Sequence, residues 1–317
     1  MLEQLAEWVF QIDFLVMIFR ITAPILFAAL AAVVAEKAAM SNIGLEGTMM
    51  LSALFGFLFA YWTQSWLLGV LGAVLVGTLL ALMMGFFYLE FKTDIILAGI
   101  AVNMLGEGGA IFLLYMFTGL RGNTAKLVSP NILIPTIEIP LIKDIPFLGE
   151  ILSGHCILTY VAFLLVWLIW LFLYRTPLGL NIRAVGESPE AASSVGVSVK
   201  RVKYIAIAMS GALAGLGGAF MSMYYSQGWN QGMVAGRGFI ALAAQAMGRG
   251  EPVGAMLTSL LFGTAHGLST KVAGLPNVSS FLVSMIPYAV TILGLFIYAW
   301  NRTRKLRKRG IRRLTGI

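Results

Sequence analysis

The chain has 317 residues, of which 59% are apolar and only 11% charged, and its mean hydropathy is +0.88. Soluble domains carry about 25% charged residues, so this composition excludes a water-soluble globule and demands hydrocarbon contact over most of the length. Nine spans of about 20 residues would take up about 180 of them, which leaves no room for a folded catalytic domain, and any energy that drives the protein must come from elsewhere.

The first residues, MLEQLAEWVFQ, hold Glu3 and Glu7 but no basic stretch, so no cleavable signal peptide is expected and the first span serves as the insertion signal. Apolar runs follow at about residues 12–35, 43–62, 66–89, 95–117, 156–174, 204–225, 238–248, 253–270 and 279–300. The seventh is too short to cross a bilayer about 30 Å thick and predicts a half-helix or re-entrant segment. The fold expected over residues 1–317 is therefore one all-α domain, a polytopic helical bundle of about nine spans. Gly-rich interruptions at Ser41–Gly47 and Gly236–Gly254 each flank a short helical piece, the pattern of an inverted internal repeat with a binding site at its interface.

Polar groups at membrane depth need a reason. Asn42 and Glu46 lie in SNIGLEG at the start of the second span, where Glu46 either lines a passage or complements the helix dipole. Asn103 and Glu107 stand four apart in AVNMLGEGGAIF, which predicts one shared polar face on the fourth span. Gln245 is a further candidate lining residue, and His266 reads as packed or external because no second ligand stands at metal-binding spacing. Arg237 is read as attracting an anionic solute or snorkelling outward, and Trp229, Tyr224 and Tyr225 as interface anchors whose rings are able to stack on a flat solute.

The connection at 118–155 carries Pro130, Pro135, Pro140 and Pro146, which forbid a long helix and predict a short external cap. Cys156 stands alone, excluding an internal disulfide framework and a cysteine metal cluster. The connection at 175–203, TPLGLNIRAVGESPEAASSVGVSVKRVKY, is read as a Pro-Gly turn followed by a short amphipathic helix. Ser188 supplies its N-cap, Pro189 the first position, Glu190 an acid in the first turn and Gly196 a left-handed stop. Arg175, Arg183, Lys200, Arg201 and Lys203 place this loop in the cytoplasm by the positive-inside bias. Counting from it, Arg20, Arg121, Lys126, Lys143, Arg237 and Lys271 fall outside, which leaves sixteen of the 22 basic residues inside, with the N-terminus outside and the C-terminus cytoplasmic. The tail at 301–317 holds eight basic residues and no acid, equal to the whole net charge of +8, and reads as a membrane anchor rather than a nucleic-acid arm. No lysine follows a glycine, so the phosphate-cradling GxxxxGK[ST] loop is absent, as are HExxH and GxSxG.

Three stretches carry a resemblance: NIGLEGTMM at 42–50, PLGLNIRAVGESPEAASSVGV at 177–197 and GRGFIALAAQAMGRGEPVGA at 236–255. With these the chain resembles the inner-membrane permeases of ABC importers for branched-chain amino acids and simple sugars, and among them the shorter permease of purine nucleoside importers. The second stretch matches the permease coupling motif, an EAA with glycine six positions after the glutamate, here Glu190, Ala191, Ala192 and Gly196, although no Leu-Pro pair follows Gly196. By this resemblance one leading helix fewer than in ribose-type permeases is expected, in keeping with the external N-terminus expected from the charges.

The resemblance implies a non-catalytic bacterial plasma-membrane subunit paired with a second, longer permease. ATP and magnesium would act on separate cytoplasmic ATP-binding subunits, and an external lipoprotein would deliver solute; the chain itself would hold no cofactor. It implies that Arg183, Glu187, Ser188, Glu190, Ala191, Ala192 and Gly196 form the ATPase coupling site. A nucleoside is then the expected solute, with a simple sugar as alternative. An ion-coupled carrier using Glu107 or Glu46 as proton carrier is a further alternative, though such carriers need no EAA helix.

Overall fold

The computed structural model describes residues 12–138, 153–273, 285–294, 296 and 300. Part of the proline-rich connection (139–152), the start of the ninth apolar run (274–284) and the basic tail lie outside the described residues.

The described chain is a helical bundle. In order come α1 (Ile12–Glu36), α2 (Leu45–Thr63), α3 (Trp66–Glu90), α4 (Ile95–Thr118), α5 (Ile157–Arg175), α6 (Pro177–Glu187), α7 (Pro189–Ser194), α8 (Val199–Tyr225), α9 (Arg237–Met247) and α10 (Pro252–Ala273). Residues 286–294 are helical as well. Strands β1 (Thr136–Ile137) and β2 (His155–Cys156) pair antiparallel across the proline-rich connection. Among the described residues six helices, α1 to α5 and α8, are long and apolar enough to cross a membrane. The seventh run forms α9, whose eleven residues extend about 16 Å. Lys37, Arg183 and Lys200 mark one end of the bundle, and Gln64 and residues 119–138 the other.

The centre is α1, where every residue from Ile21 to Ala35 is buried. A helix apolar on all sides is buried on all sides, and its alanines let α5, α8, α9 and α10 surround it closely.

Helix α3 is equally apolar all round, yet its two faces differ in size. Leu67, Leu71, Leu75 and Leu79 form an outward stripe, each about half exposed. Gly69, Ala73, Gly77 and Ala81, offset by two residues and so on the opposite side, are buried. Lipid tails are as apolar as leucine, so the membrane selects the inner face by close approach rather than hydropathy. A β-carbon on Gly77 would stand 2.4 Å from the Gly211 carbonyl oxygen of α8, and one on Gly215 would stand 2.5 Å from that of Ala73.

Two local features depart from the sequence reading. The segment read as a Pro-Gly turn is α6, because Pro177 occupies a first helical position capped by Thr176, whose Oγ1 accepts the Gly179 N–H at 3.1 Å. Helices α4 and α8 each contain a π turn, at Leu105–Gly109 and Met221–Tyr225.

Gly211→Val drives a side chain into backbone that has no rotamer to yield, so a stability loss of at least about 1–3 kcal/mol is expected. It would be read as a lower unfolding midpoint in detergent, with Gly108→Ala, whose β-carbon meets nothing within 4 Å, leaving the midpoint unchanged.

Candidate functional site

Two constellations organise the polar residues, one within the bundle and one at its basic end. The first begins where α1 stops and the chain runs without regular helix until Leu45. Gly44 stands at the N-cap of α2 and has no side chain to cap it. The cap comes from another helix: Asn103 of α4 accepts the Gly47 N–H with Oδ1 at 2.8 Å and donates through Nδ2 to the Ile43 carbonyl at 3.0 Å. This approach needs glycine, since a β-carbon on Gly106 would fall 2.2 Å from the Gly47 α-carbon. Asn42 is buried and donates to the Ser210 hydroxyl at 2.9 Å.

Glu46 lies one residue into α2, 6% exposed, and its carboxylate accepts the Gly236 and Gly238 N–H groups at 2.7 and 2.8 Å. Those donors belong to the opening turn of α9, so the positive ends of two helix dipoles converge on one carboxylate. Both glycines are required. Gly236 has φ +75°, a conformation L side chains rarely adopt, and a β-carbon on Gly238 would stand 2.7 Å from the Glu46 nitrogen.

Arg237 between them is 4% exposed. It folds back to donate to the Met233 and Val234 carbonyls at 3.2 and 3.1 Å, lies over the Tyr225 ring at 5.0 Å and meets His266 Nε2 at 3.2 Å. Arginine only donates, so that imidazole nitrogen accepts. Arg237 is thus packed inward rather than snorkelling, and Trp229, predicted as an interface anchor, is fully buried with Nε1 donating to the Met50 carbonyl at 3.3 Å.

Asn103 and Glu107, predicted to share one face, separate. Asn103 is half-buried against α2, while Glu107 is exposed within the π turn, flanked by Met104 at 70% and Phe112 at 64% exposure. The wider turn rotates Glu107 away from the Asn103 face. Gln245 is half-buried in the last turn of α9.

At the basic end, α6 buries Gly179, Ile182 and Val185, and a β-carbon on Gly186 would stand 2.1 Å from the Lys37 carbonyl oxygen after α1. Ser188 then caps α7, accepting the Ala191 N–H at 3.3 Å, and Gly196 ends the segment at φ +85°. Ala192 is buried; Glu187, Glu190, Ala191 and Gly196 are exposed, and Val195 is 80% exposed.

Behind α6 lies a group that no sequence spacing announces. Lys37 Nζ donates to Glu251 Oε1 at 2.8 Å, and the Tyr174 hydroxyl donates to the two Glu251 oxygens at 2.5 and 2.6 Å. The Arg183 guanidinium lies 4.5 Å from the Tyr174 ring centre and donates through Nε to the Leu173 carbonyl at 3.0 Å. Burial opposes both charges of the pair, but the hydrogen bonds and opposite charges outweigh it, holding Lys37 above its ordinary pKa and Glu251 below the usual carboxylate range. These residues join the ends of α1 and α5, the body of α6 and the α9–α10 turn.

The family described as "Branched-chain amino acid transport system / permease component" matches residues 14–295. The guanosine ABC transporter permease protein NupQ of Bacillus subtilis is 35% identical over 284 residues, covering 86% of this chain and 88% of that one. The nucleoside ABC transporter permease protein NupC of Lactococcus lactis is 31% identical over 288 residues, covering 87% and 89%. A chain of the solved PsaBC complex from Streptococcus pneumoniae with Fab shares the fold at TM-score 0.52 and 14% identity, covering 97% of this chain and all of that one.

Glu46→Gln replaces one of the two acceptor oxygens by an NH₂, which then faces a donor N–H while the remaining oxygen keeps the other. Leaving a buried N–H unpaired costs about 1–3 kcal/mol, so a lower unfolding midpoint in detergent is expected, with a smaller fall for Glu46→Asp, which keeps the carboxylate.

Proposed function

The chain belongs to the branched-chain amino acid transport system permease family, and on that premise we propose that it forms, with a second permease subunit, a pathway for the import of purine nucleosides. The naming of NupQ as a guanosine permease supports the substrate class. In this reading the protein is a non-catalytic subunit of the bacterial plasma membrane. A lipoprotein delivers solute from outside, and separate cytoplasmic subunits hydrolyse ATP with magnesium. The basic end faces the cytoplasm with the C-terminus, the start of α1 faces outward, and the chain crosses nine times, the seventh crossing being completed by the short α9. Glu46, between the interrupted segments before α2 and α9, marks the interface of an inverted repeat.

The single observation that carries the reading is α7 itself: a capped helix of six residues, standing at the basic end with Glu190, Ala191 and Val195 open to a partner. Val195, 80% exposed beside it, offers apolar surface that a docked ATPase would bury. Closure of the ATPases would press α7 and α6 against Lys37. The Lys37–Tyr174–Glu251 group would then pass the displacement to α1 and to the α9–α10 turn together, rocking the two halves of the chain.

Glu107 belongs to the pathway in this reading. A carboxylate exposed on a membrane span costs several kcal/mol in lipid, and a watered seam against the second permease removes that cost. Asn42, Glu46, Asn103 and Gln245 hold the walls of the same seam.

With the complete transporter in proteoliposomes, Glu190→Arg is expected to cut ATP-driven guanosine uptake roughly tenfold or more, the loss of one central docking contact. Unchanged uptake, or uptake driven by a proton gradient without ATP, would refute the assignment, and competition by simple sugars but not by purine nucleosides would move the substrate to sugars.

Lys37→Met and Glu251→Gln are each expected to lower guanosine moved per ATP hydrolysed while ATP hydrolysis continues. The double variant should lose less than the sum of the two, the signature of coupled residues.

A further inference from the structure

Between α3 and α8 at the basic end runs a groove of about 570 Å³. Leu82 and Ile205 line its apolar part, and Ser198, Lys200, Arg201 and Tyr204 line its polar part. It adjoins the outward face of α3, where Met83, Phe86 and Phe87 are exposed in continuation of the leucine stripe. A groove that joins a lipid-facing surface to a basic rim has the form of a phospholipid seat, with chain and headgroup ends already distinguished.

The charges specify the headgroup. Lys200, Arg201 and Lys203 all fall in the opening turns of α8, which holds no acid in its first turn. Cations at a helix N-terminus oppose the macrodipole, so the arrangement is unfavourable until an anion joins it. One carboxylate faces the turn, Glu90 of α3, and it is already taken by Lys200 Nζ at 2.6 Å and the Tyr204 hydroxyl at 3.0 Å. Lys203 is buried over the Tyr88 ring at 5.3 Å. Arg201 is exposed and has no carboxylate partner among the described residues. The Ser198 hydroxyl makes no cap bond, and the first helical N–H with an intrahelical acceptor is that of Val202. Arg201 and the Ser198 hydroxyl thus line the same groove rim, beside the first N–H groups of α8, a donor set suited to a phosphate diester.

We propose that this groove binds an acidic phospholipid of the cytoplasmic leaflet, its phosphate on Arg201 and Ser198 and an acyl chain against Leu82 and Ile205. The placement in that leaflet rests on the orientation proposed above. Basic pockets between membrane helices on the cytoplasmic side are established seats for such headgroups.

The test uses the complete transporter, purified in mild detergent, exchanged into zwitterionic lipid and titrated with phosphatidylglycerol, with bound lipid counted by native mass spectrometry. The wild-type protein is expected to retain phosphatidylglycerol over phosphatidylcholine, and Arg201→Gln to lose that preference by roughly tenfold, one charge-assisted contact. Arg201→Lys should keep most of it and Arg175→Gln, distant on α5, all of it. Equal retention by wild type and Arg201→Gln would overturn the proposal. So would efficient crosslinking of an Arg201→Cys variant to the ATPase, which would assign the groove to that subunit. Guanosine uptake in the same preparations reports separately on the transport assignment, so its failure and a failure of lipid binding are distinguishable.

Discussion

The architecture turns on one carboxylate shared between two helix ends. Glu46 opens α2 and accepts two N–H groups from the first turn of α9, so a helix that begins inside the bundle finds a partner for its unpaired donors in a side chain at the start of another. In water either end could be hydrated. Within hydrocarbon an unsatisfied donor costs several kcal/mol, and a broken helix is admissible only where such a group waits for it. Gly236 and Gly238 are consequences of that contact, one setting the left-handed turn and the other allowing the approach. Asn103 does for α2 what Glu46 does for α9, reaching from α4 to pair the Gly47 nitrogen. Irregular backbone, helix ends and buried polar side chains thus form one network, and removing any member leaves another unpaired.

The two ends of the molecule serve different physics. At the basic end, Lys37, Tyr174, Glu251 and Arg183 bind together segments that are remote in sequence, so a displacement of the α6–α7 segment would be shared by several helices at once. Deeper in the bundle the contacts are backbone against backbone at glycines, which leaves no flexible side chain to absorb displacement. A stiff interior with an exposed handle suits a subunit moved by work done elsewhere.

Much of the fold was legible because a bilayer imposes a length. Eight apolar runs coincide with helices to within a few residues, apart from the start of α8 at Val199, which is hidden by the polarity of its first two turns. The α7 cap was legible because Ser188, Pro189 and Gly196 act within one segment. The α6 helix was misread because Pro177 and Gly179 signal a turn as readily as a helix start. Glu107 and Asn103 were wrongly joined because a π turn leaves no mark in composition. The Lys37–Glu251 pair was invisible for a different reason: its partners stand 214 residues apart, and only the folded chain brings them together.

The size pattern on α3 bears on how this sequence can change over time. On the Leu67–Leu79 stripe, lipid presents no fixed shape, so exchanges among leucine, isoleucine, valine and phenylalanine alter little. On the face of Gly69, Ala73, Gly77 and Ala81, all four are buried, and a β-carbon on Gly69 or Gly77 would come within 3 Å of a neighbouring helix's backbone oxygen. A hydropathy profile scores the two faces alike, yet one is free to drift and the other is held fixed, so divergence along this helix should follow a four-residue rhythm that average hydrophobicity cannot register.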